Sequence, residues 1–225
     1  MNILLCVSGS VAAIKTWELI KALEEIGQVR TVFSERGEFF ARRSIPENGG
    51  RLGVLLRDED EWKWNALGDR ILHIDLKDWA DVLVIAPLSA NTLAKVYGGF
   101  CDNLLTSIYR AWPMGKPVVL APAMNTDMWE HPLTRNQLDE MSRRHFKSVK
   151  VQRIDICKVD YDVKSWMNVD YDIIGNAYVH QPWLHIVNPV EKNLACGVHG
   201  MGAMASVESI VEAVNIYNTS SEKSS

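Results

Sequence analysis

Three short stretches of this 225-residue chain put polar side chains where a strand should hand over to a helix. Ser8-Gly9-Ser10 follows the apolar run Asn2–Val7, and Ser89-Ala90-Asn91-Thr92 follows Val82–Ala86 and Pro87. Asn125 follows the apolar run Lys116–Ala121 by way of Pro122-Ala123-Met124. Serine and asparagine are cap residues, and the first turn of a helix holds backbone N–H groups with no partner inside the helix. Two hydroxyls and a glycine at such a place suit a phosphate. An asparagine amide suits a carboxylate. A capped βα turn explains each stretch taken singly, but two Asn-bearing turns at one sheet edge point to a shared cleft. Two more residues have the chemistry of proton transfer. His73 is of the type that titrates near neutrality, although its neighbours Leu72, Ile74 and Leu76 taken alone make it a satisfied core histidine. Cys196 lies in Leu194–Met204, whose glycines at 197, 200 and 202 predict a flexible flap.

The elements that must position these residues alternate between strand and helix. Asn2–Val7 reads as a strand, and Val11–Ile26 has helical spacing (Val11, Ile14, Leu19, Leu23, Ile26) closed by Gly27 as C-cap. Val29–Phe33 is a second strand, so the chain opens as a doubly wound fold does. Glu35 stands where a ribose-binding acid would, but no GxGxxG turn precedes it, which argues against a dinucleotide. A short helix over Gly37–Arg43, a loop at Pro46–Gly50 and a strand at Leu52–Leu56 come next. Asp58–Trp64 is acidic, then aromatic. The continuous apolar run Val82–Ala86 predicts a strand buried on both faces, as in a parallel sheet. A helix over Leu93–Val96 is interrupted at Gly98-Gly99, and Asp102 is expected to cap another that runs through Trp112. A strand over Lys116–Ala121 precedes helical stretches at Met128-Trp129 and Pro132–Arg144. Residues 147–190 alternate in part, are rich in Asp, Tyr and Trp, and read as a strand with an inserted hairpin or loop. Ser206–Tyr217 is a terminal helix, and residues 219–225 form a polar tail expected to be disordered.

The sum is one α/β domain over residues 1–218, with a parallel doubly wound sheet. A net charge of −4 without a basic block excludes nucleic acid and an anionic membrane as partners. No stretch has the roughly 18 apolar residues of a membrane span. Cys6, Cys101, Cys157 and Cys196 are scattered with no CxxC pair, which predicts neither a metal site nor disulfides. The expectation is a soluble cytoplasmic protein, with Cys6 as a buried packing residue.

Read together, SGSVAAIK (8–15), DEDEW (58–62), LHIDL (72–76), WADVLVIAPLSANTLAK (79–95), GGFCDNLLTSIYRAW (98–112), APAMNTDMW (121–129) and LACG…GAM (194–204) resemble the homo-oligomeric flavin-containing cysteine decarboxylases. The eukaryotic phosphopantothenoylcysteine decarboxylases, including plant halotolerance flavoproteins, are the branch they resemble most. The resemblance covers nearly the whole chain apart from about residues 147–190. It implies a flavodoxin-like three-layer α/β/α fold and a homotrimer with FMN at the subunit interface. It assigns Gly9, Ser10, Val11, Ser34, Trp64, Ser89, Ala90, Asn91 and Thr92 to FMN. Ala123, Met124, Asn125 and Met128 fall to the substrate, and His73 and Cys196 to catalysis, with 194–204 as a substrate clamp. This reverses the packing reading of His73. The implied reaction converts 4′-phosphopantothenoyl-cysteine to 4′-phosphopantetheine in coenzyme A synthesis. The cysteine side chain is oxidised to a thioaldehyde, CO2 is lost, and the enethiolate is reduced again. Without an oxidised sulfur the departing carboxylate would leave an unstabilised carbanion, so the flavin carries the hard step.

Two features depart from the family pattern. Val198-His199 stands where the clamp usually has an acid, and strand two ends in Ser34-Glu35-Arg36-Gly37 without the further serines of plant relatives. Rival readings are a peptidyl-cysteine decarboxylase, a flavin prenyltransferase, and a regulatory flavoprotein of the phosphatase-inhibitor type. The last would need an extended acidic tail where this chain has a short serine-rich one.

Overall fold

The computed structural model describes residues 1–44, 54–63, 65–146, 183–195 and 197–218. Trp64, Cys157, Cys196, the loop at 46–50, most of the 147–190 insertion and the 219–225 tail lie outside the described residues. In chain order the elements are β1 (Asn2–Val7), α1 (Thr16–Glu24), β2 (Gln28–Phe33), α2 (Glu35–Ala41), β3 (Leu55–Leu56), α3 (Asp58–Glu61) and α4 (Leu72–Trp79). Then come β4 (Val82–Leu88), α5 (Ala90–Gly98), α6 (Leu104–Ala111), β5 (Val118–Pro122), α7 (Thr126–Glu130) and α8 (Pro132–Phe146). The described chain closes with β6 (Leu184–Ile186), β7 (Val190–Asn193), β8 (His199–Ala203) and α9 (Val207–Asn215).

Six strands form one parallel sheet in the order β3-β2-β1-β4-β5-β6. β3 is a two-residue edge. Without it the strands run second, first, third, fourth, fifth, which is the flavodoxin-like order. The order reverses at the β1–β4 pair, where Ile3 faces Val82 and Cys6 faces Ile85. Ligands of open α/β sheets bind beyond the carboxyl ends of the strands at this point.

Both sheet faces are covered, which is why the strand sequences are continuously apolar. Ile3, Leu5 and Val7 of β1 pack with Leu19, Leu23, Ile210 and Val214 under α1 and α9. The alternate residues Leu4 and Cys6 pack with Leu76, Leu93, Leu105 and Ile108 under α4, α5 and α6. A fully buried Leu, Ile or Val contributes about 1.5–3 kcal/mol relative to an exposed one, so these two layers hold the sheet edge rigid. Cys6 is fully buried as expected, and burial pushes its thiol well above the ordinary range, which makes it inert packing.

Several sequence expectations are corrected. The helix after Ser8-Gly9-Ser10 is a 3₁₀ turn, Val11–Lys15, followed by α1, and it ends before Gly27. Gly27 is required by close approach instead, since a Cβ there would lie 2.4 Å from the Met1 carbonyl oxygen. α2 begins at Glu35, two residues early, because Ser34 caps it by accepting the Gly37 N–H at 3.1 Å. The cap of α6 is Asn103, not Asp102. Asn103 Oδ1 accepts the Thr106 N–H at 2.9 Å and Thr106 Oγ1 accepts the Asn103 N–H at 3.2 Å, a reciprocal box open only to the later residue. Asp102 instead pairs with Lys95. The end of the 147–190 insertion belongs to the core, because Leu184–Ile186 pairs with Val118–Leu120 as the sixth strand.

Candidate active site

Three neighbouring strands end in serine caps at the carboxyl edge of the sheet. After β1, Ser10 caps the 3₁₀ turn with the Ala12 N–H at 3.4 Å. After β2, Ser34 caps α2. After β4, Ser89 caps α5, accepting the Thr92 N–H at 3.2 Å and donating to Thr92 Oγ1 at 3.1 Å. Each cap fixes one N–H and stabilises its helix by about 1 kcal/mol. Ser8 ties the switch point together. It is fully buried, its hydroxyl donates to the Pro87 carbonyl at 2.7 Å, and the same oxygen accepts the Ser89 N–H at 2.8 Å.

This edge fits a flavin mononucleotide. A Cβ at Gly9 would sit 2.6 Å from the Arg36 Cβ, so only bare backbone fits between the two turns. Helix N-termini and hydroxyls suit a phosphate. Val11 and Ile14 leave apolar side chains 40% and 44% exposed on the adjoining turn, a flank suited to a planar ring. Gly9, Ser10, Val11, Ser34, Ser89, Ala90, Asn91 and Thr92 therefore lie on one edge, with Asn91 exposed on the first turn of α5.

The next strand end carries the substrate-type residues. Asn125 caps α7, and its Oδ1 accepts the Met128 N–H at 3.0 Å. Its amide oxygen is thereby used, and the two Nδ2 hydrogens remain for an acceptor. Met128 is half exposed, while Ala123 is buried and joins the turn to β4 through its N–H on the Leu88 carbonyl at 2.9 Å. The segment expected to be a flexible flap is an antiparallel hairpin, β7–β8, docked on this turn. Met124 N–H donates to the Gly202 carbonyl at 3.0 Å. Gly202 has φ +126°, and a Cβ there would lie 2.3 Å from the Met124 oxygen. A Cβ at Gly200 would lie 2.4 Å from Thr126 Oγ1. Gly200 and Gly202 serve close packing, while a Cβ at Gly197, at φ +85°, would meet nothing within 4 Å. His199, at the position of the family's acid, faces Glu191 across the hairpin at 3.5 Å.

His73 stands apart from these turns. The C-terminal end of α4 is anchored at the opposite edge, where Asn2 Nδ2 donates to the Trp79 carbonyl at 2.9 Å. α4 packs on the face of the sheet through Leu76, so His73 sits on a flanking helix and not on a strand-end turn. It is partly exposed on the first turn of α4, outside the core, with Nδ1 2.5 Å from Glu61 Oε1. Sequence reasoning gave Glu61 no role. Its signal was an acid in DEDEW, 12 residues before the histidine. The other acids of that run have separate tasks. Asp58 accepts the Leu104 N–H at 2.8 Å, and burial holds its carboxyl above the usual range. Asp60 accepts the Arg57 N–H at 2.9 Å, and the ammonium of Lys63 keeps its carboxyl below the usual range. A cleft of about 480 Å³ opens beside Glu61, with Asp60, Arg70 and Asp75 in its walls. Its four acids outnumber Lys63 and Arg70, which is unsuited to a phosphate, and none of the serine caps lines it.

The chain is similar to known proteins over nearly its whole length. The Flavoprotein family model matches residues 1–218. Phosphopantothenoylcysteine decarboxylase HAL3b of Glycine max is 42% identical over 218 residues, covering 96% of this chain and 82% of the relative. A structure of a cysteine-to-serine mutant of PPC decarboxylase, complexed with pantothenoylaminoethenethiol, superposes with a TM-score of 0.75 at 39% identity, covering 97% of this chain and 98% of that one. The FMN binding protein AtHal3 gives 0.70 at 40% identity, with 97% of each chain covered. The chain belongs to the Flavoprotein family, in its phosphopantothenoylcysteine decarboxylase branch.

Proposed function

We propose that this protein binds FMN at the serine-capped edge and decarboxylates 4′-phosphopantothenoyl-cysteine to 4′-phosphopantetheine, in coenzyme A synthesis. The observation that carries the reading is the docking of the 190–203 hairpin on the Asn125 turn, Met124 N–H to Gly202 carbonyl. It joins the stretch that carries Cys196 to the one strand-end turn, among the described residues, whose cap leaves amide donors for a carboxylate.

FMN, when bound, supplies a two-electron acceptor for the thiol carbon and later returns the same two electrons. The chain's own residues do the rest. Asn125 Nδ2 holds the substrate carboxylate, because its Oδ1 is committed to the Met128 N–H. Met128 and Ala123 shape the apolar side of the same pocket. Once the cysteine sulfur is a thioaldehyde, the C–CO2 bond breaks and its electron pair is held as an enethiolate. His73 presents Nε2 and assists this loss of CO2. Cys196 would give the enethiolate the proton it needs for the product to leave saturated. The oligomer we propose is a homotrimer with FMN at the subunit interface. His73 lies on a flanking helix and not on a strand-end turn, and we assign it to a neighbouring subunit's flavin edge.

The test is product analysis on the FMN-loaded protein with phosphopantothenoyl-cysteine and, separately, a peptide ending in cysteine. CO2 and phosphopantetheine from the first alone support the reading; turnover of the peptide alone makes it a peptidyl-cysteine decarboxylase. Cys196→Ser is expected to release CO2 and accumulate the enethiol, the species class bound in the cysteine-to-serine mutant structure. Full normal turnover by that variant refutes the assigned proton donor.

A further inference from the structure

We propose that Glu61 is the positioning residue of His73, setting both its ring orientation and its tautomer; this rests on the proposed role of His73. Glu61 ends the one-turn helix α3 and its side chain is 12% exposed. One carboxylate meets two atoms of the same residue. Oε2 accepts the His73 backbone N–H at 3.0 Å, and Oε1 lies 2.5 Å from Nδ1.

The geometry follows from what α4 lacks. Its N-cap is Ile71, whose side chain cannot accept a hydrogen bond. The first-turn N–H of His73 therefore needs an acceptor from elsewhere, and a carboxylate is the favoured one at a helix N-terminus. Glu61 fills that place from 12 residues away, and its second oxygen then falls on the imidazole of the residue it caps. Two-point attachment of side chain and backbone fixes the ring. An ionised carboxylate is acceptor-only, so Nδ1 must carry the ring proton. Nε2 is left with the lone pair in the neutral ring and becomes the donor on protonation. The same logic operates wherever a carboxylate orients a catalytic or metal-bound imidazole.

Glu61→Gln separates this role from helix capping. Glutamine Oε1 still accepts the backbone N–H, so α4 stays capped. Its Nε2 hydrogens then face Nδ1, which must turn acceptor, and the ring proton moves to Nε2. The experiment records ¹⁵N-histidine spectra at about pH 9, well above the ordinary histidine pKa of about 6.5, with the signal assigned by its loss in His73→Asn. Melting temperature, FMN affinity and kcat are measured on the same holoenzyme samples. The expected result is an Nδ1–H tautomer in the wild type, the Nε2–H tautomer in Glu61→Gln, and a kcat lower by about 10²–10⁴-fold, with melting and FMN affinity unchanged. Unchanged tautomer, or a kcat within twofold of wild type, overturns the proposal. If His73→Asn is inactive while Glu61→Gln is fully active, only the positioning role fails. If His73→Asn retains full activity, the role of His73 fails and the positioning role with it.

Discussion

The docking of the β7–β8 hairpin rests on glycines whose neighbours are known, so its strength can be altered and restored. Gly200→Ala places a methyl carbon 2.4 Å from Thr126 Oγ1, 3.2 Å from its Cγ2 and 3.3 Å from its Cβ. Ordinary contact distance is about 3.5–4.0 Å, so the hairpin or α7 must yield by about 1 Å. Overpacking of that size costs about 1–3 kcal/mol. Thr126→Ala removes the two closest atoms and leaves only the contact at 3.3 Å. It also discards a buried hydroxyl that has no hydrogen-bond partner among the described residues, which offsets the lost methyl contact. The double variant should therefore recover most of what Gly200→Ala loses. The assay is native-state hydrogen exchange at the Met124 amide, which donates to the Gly202 carbonyl and so reports docking directly. Protection is expected to fall about 5- to 150-fold in Gly200→Ala, the equivalent of 1–3 kcal/mol. It should return to within a few-fold of wild type in Gly200→Ala/Thr126→Ala. Turnover should follow the same order. Equal loss of protection in the single and double variants refutes the steric argument, and unchanged protection in the single variant refutes the docking itself.

Ser8→Ala strips the buried Ser89 N–H of its acceptor. It should cost about 1–3 kcal/mol, lower the melting temperature and weaken FMN binding, read by flavin fluorescence; unchanged values of both would exclude Ser8 as the tie between the two turns. Asn125→Asp keeps a cap for the Met128 N–H but replaces two donors with an acceptor. It should lower kcat/KM by at least about tenfold, at about 1.4 kcal/mol per factor of ten, while FMN affinity stays constant, and an unaltered kcat/KM would remove Asn125 from carboxylate binding. Glu38 is held below the ordinary carboxylate range first by its hydrogen bond from Arg57 and also by Arg42. A lowered folded pKa gives stability that is present above the unfolded value of about 4.3 and lost as pH falls through the folded one. The melting-temperature gap between wild type and Glu38→Gln should therefore narrow below about pH 4.3, and a constant gap from pH 3 to 7 would contradict the assignment.

What was legible in the sequence divides by the range of the interaction that decides it. The strands were plain because parallel strands covered on both faces must be continuously apolar, as Val82–Ala86 is. The caps at Ser10, Ser89 and Asn125 were legible because each bonds an N–H two or three residues on. Asp102 against Asn103 was ambiguous, since both are cap types and only the reciprocal bond with Thr106 decides between them. Glycine was misread wherever its reason lay far along the chain. Gly27 meets Met1, Gly200 meets Thr126 and Gly202 meets Met124, contacts that no local pattern encodes. β6 was hidden for a related reason. Three residues leave no period to read, and their strand identity comes from pairing with β5 more than 60 positions earlier. Glu61 could not be told from the other acids of DEDEW by pattern, because its contact with His73 is set by where α3 lies against α4.

The arrangement of polar atoms explains how a site of single side chains is kept in register. The candidate residues spend polar atoms on the protein, and Asn125 and His73 each keep another. Asn125 spends Oδ1 on the Met128 N–H and keeps Nδ2. His73 spends Nδ1 on Glu61 and keeps Nε2. Ser89 spends its oxygen on the Thr92 N–H, and Ser8 divides its hydroxyl between Pro87 and the Ser89 N–H. The atom that is spent removes a degree of freedom from the atom that is kept, so the donors are oriented before any ligand arrives. A site built this way holds its groups without recruiting ligand binding energy to order them, which leaves that energy for interactions made in the transition state. The carboxyl ends of β1, β2, β4 and β5 provide the common edge from which these orientations are measured, and the buried layers on both faces of the sheet keep that edge fixed. His73, on the flank of the same sheet, enters the scheme through a carboxylate instead of a strand end. Its precision depends on Glu61 as that of Asn125 depends on β5.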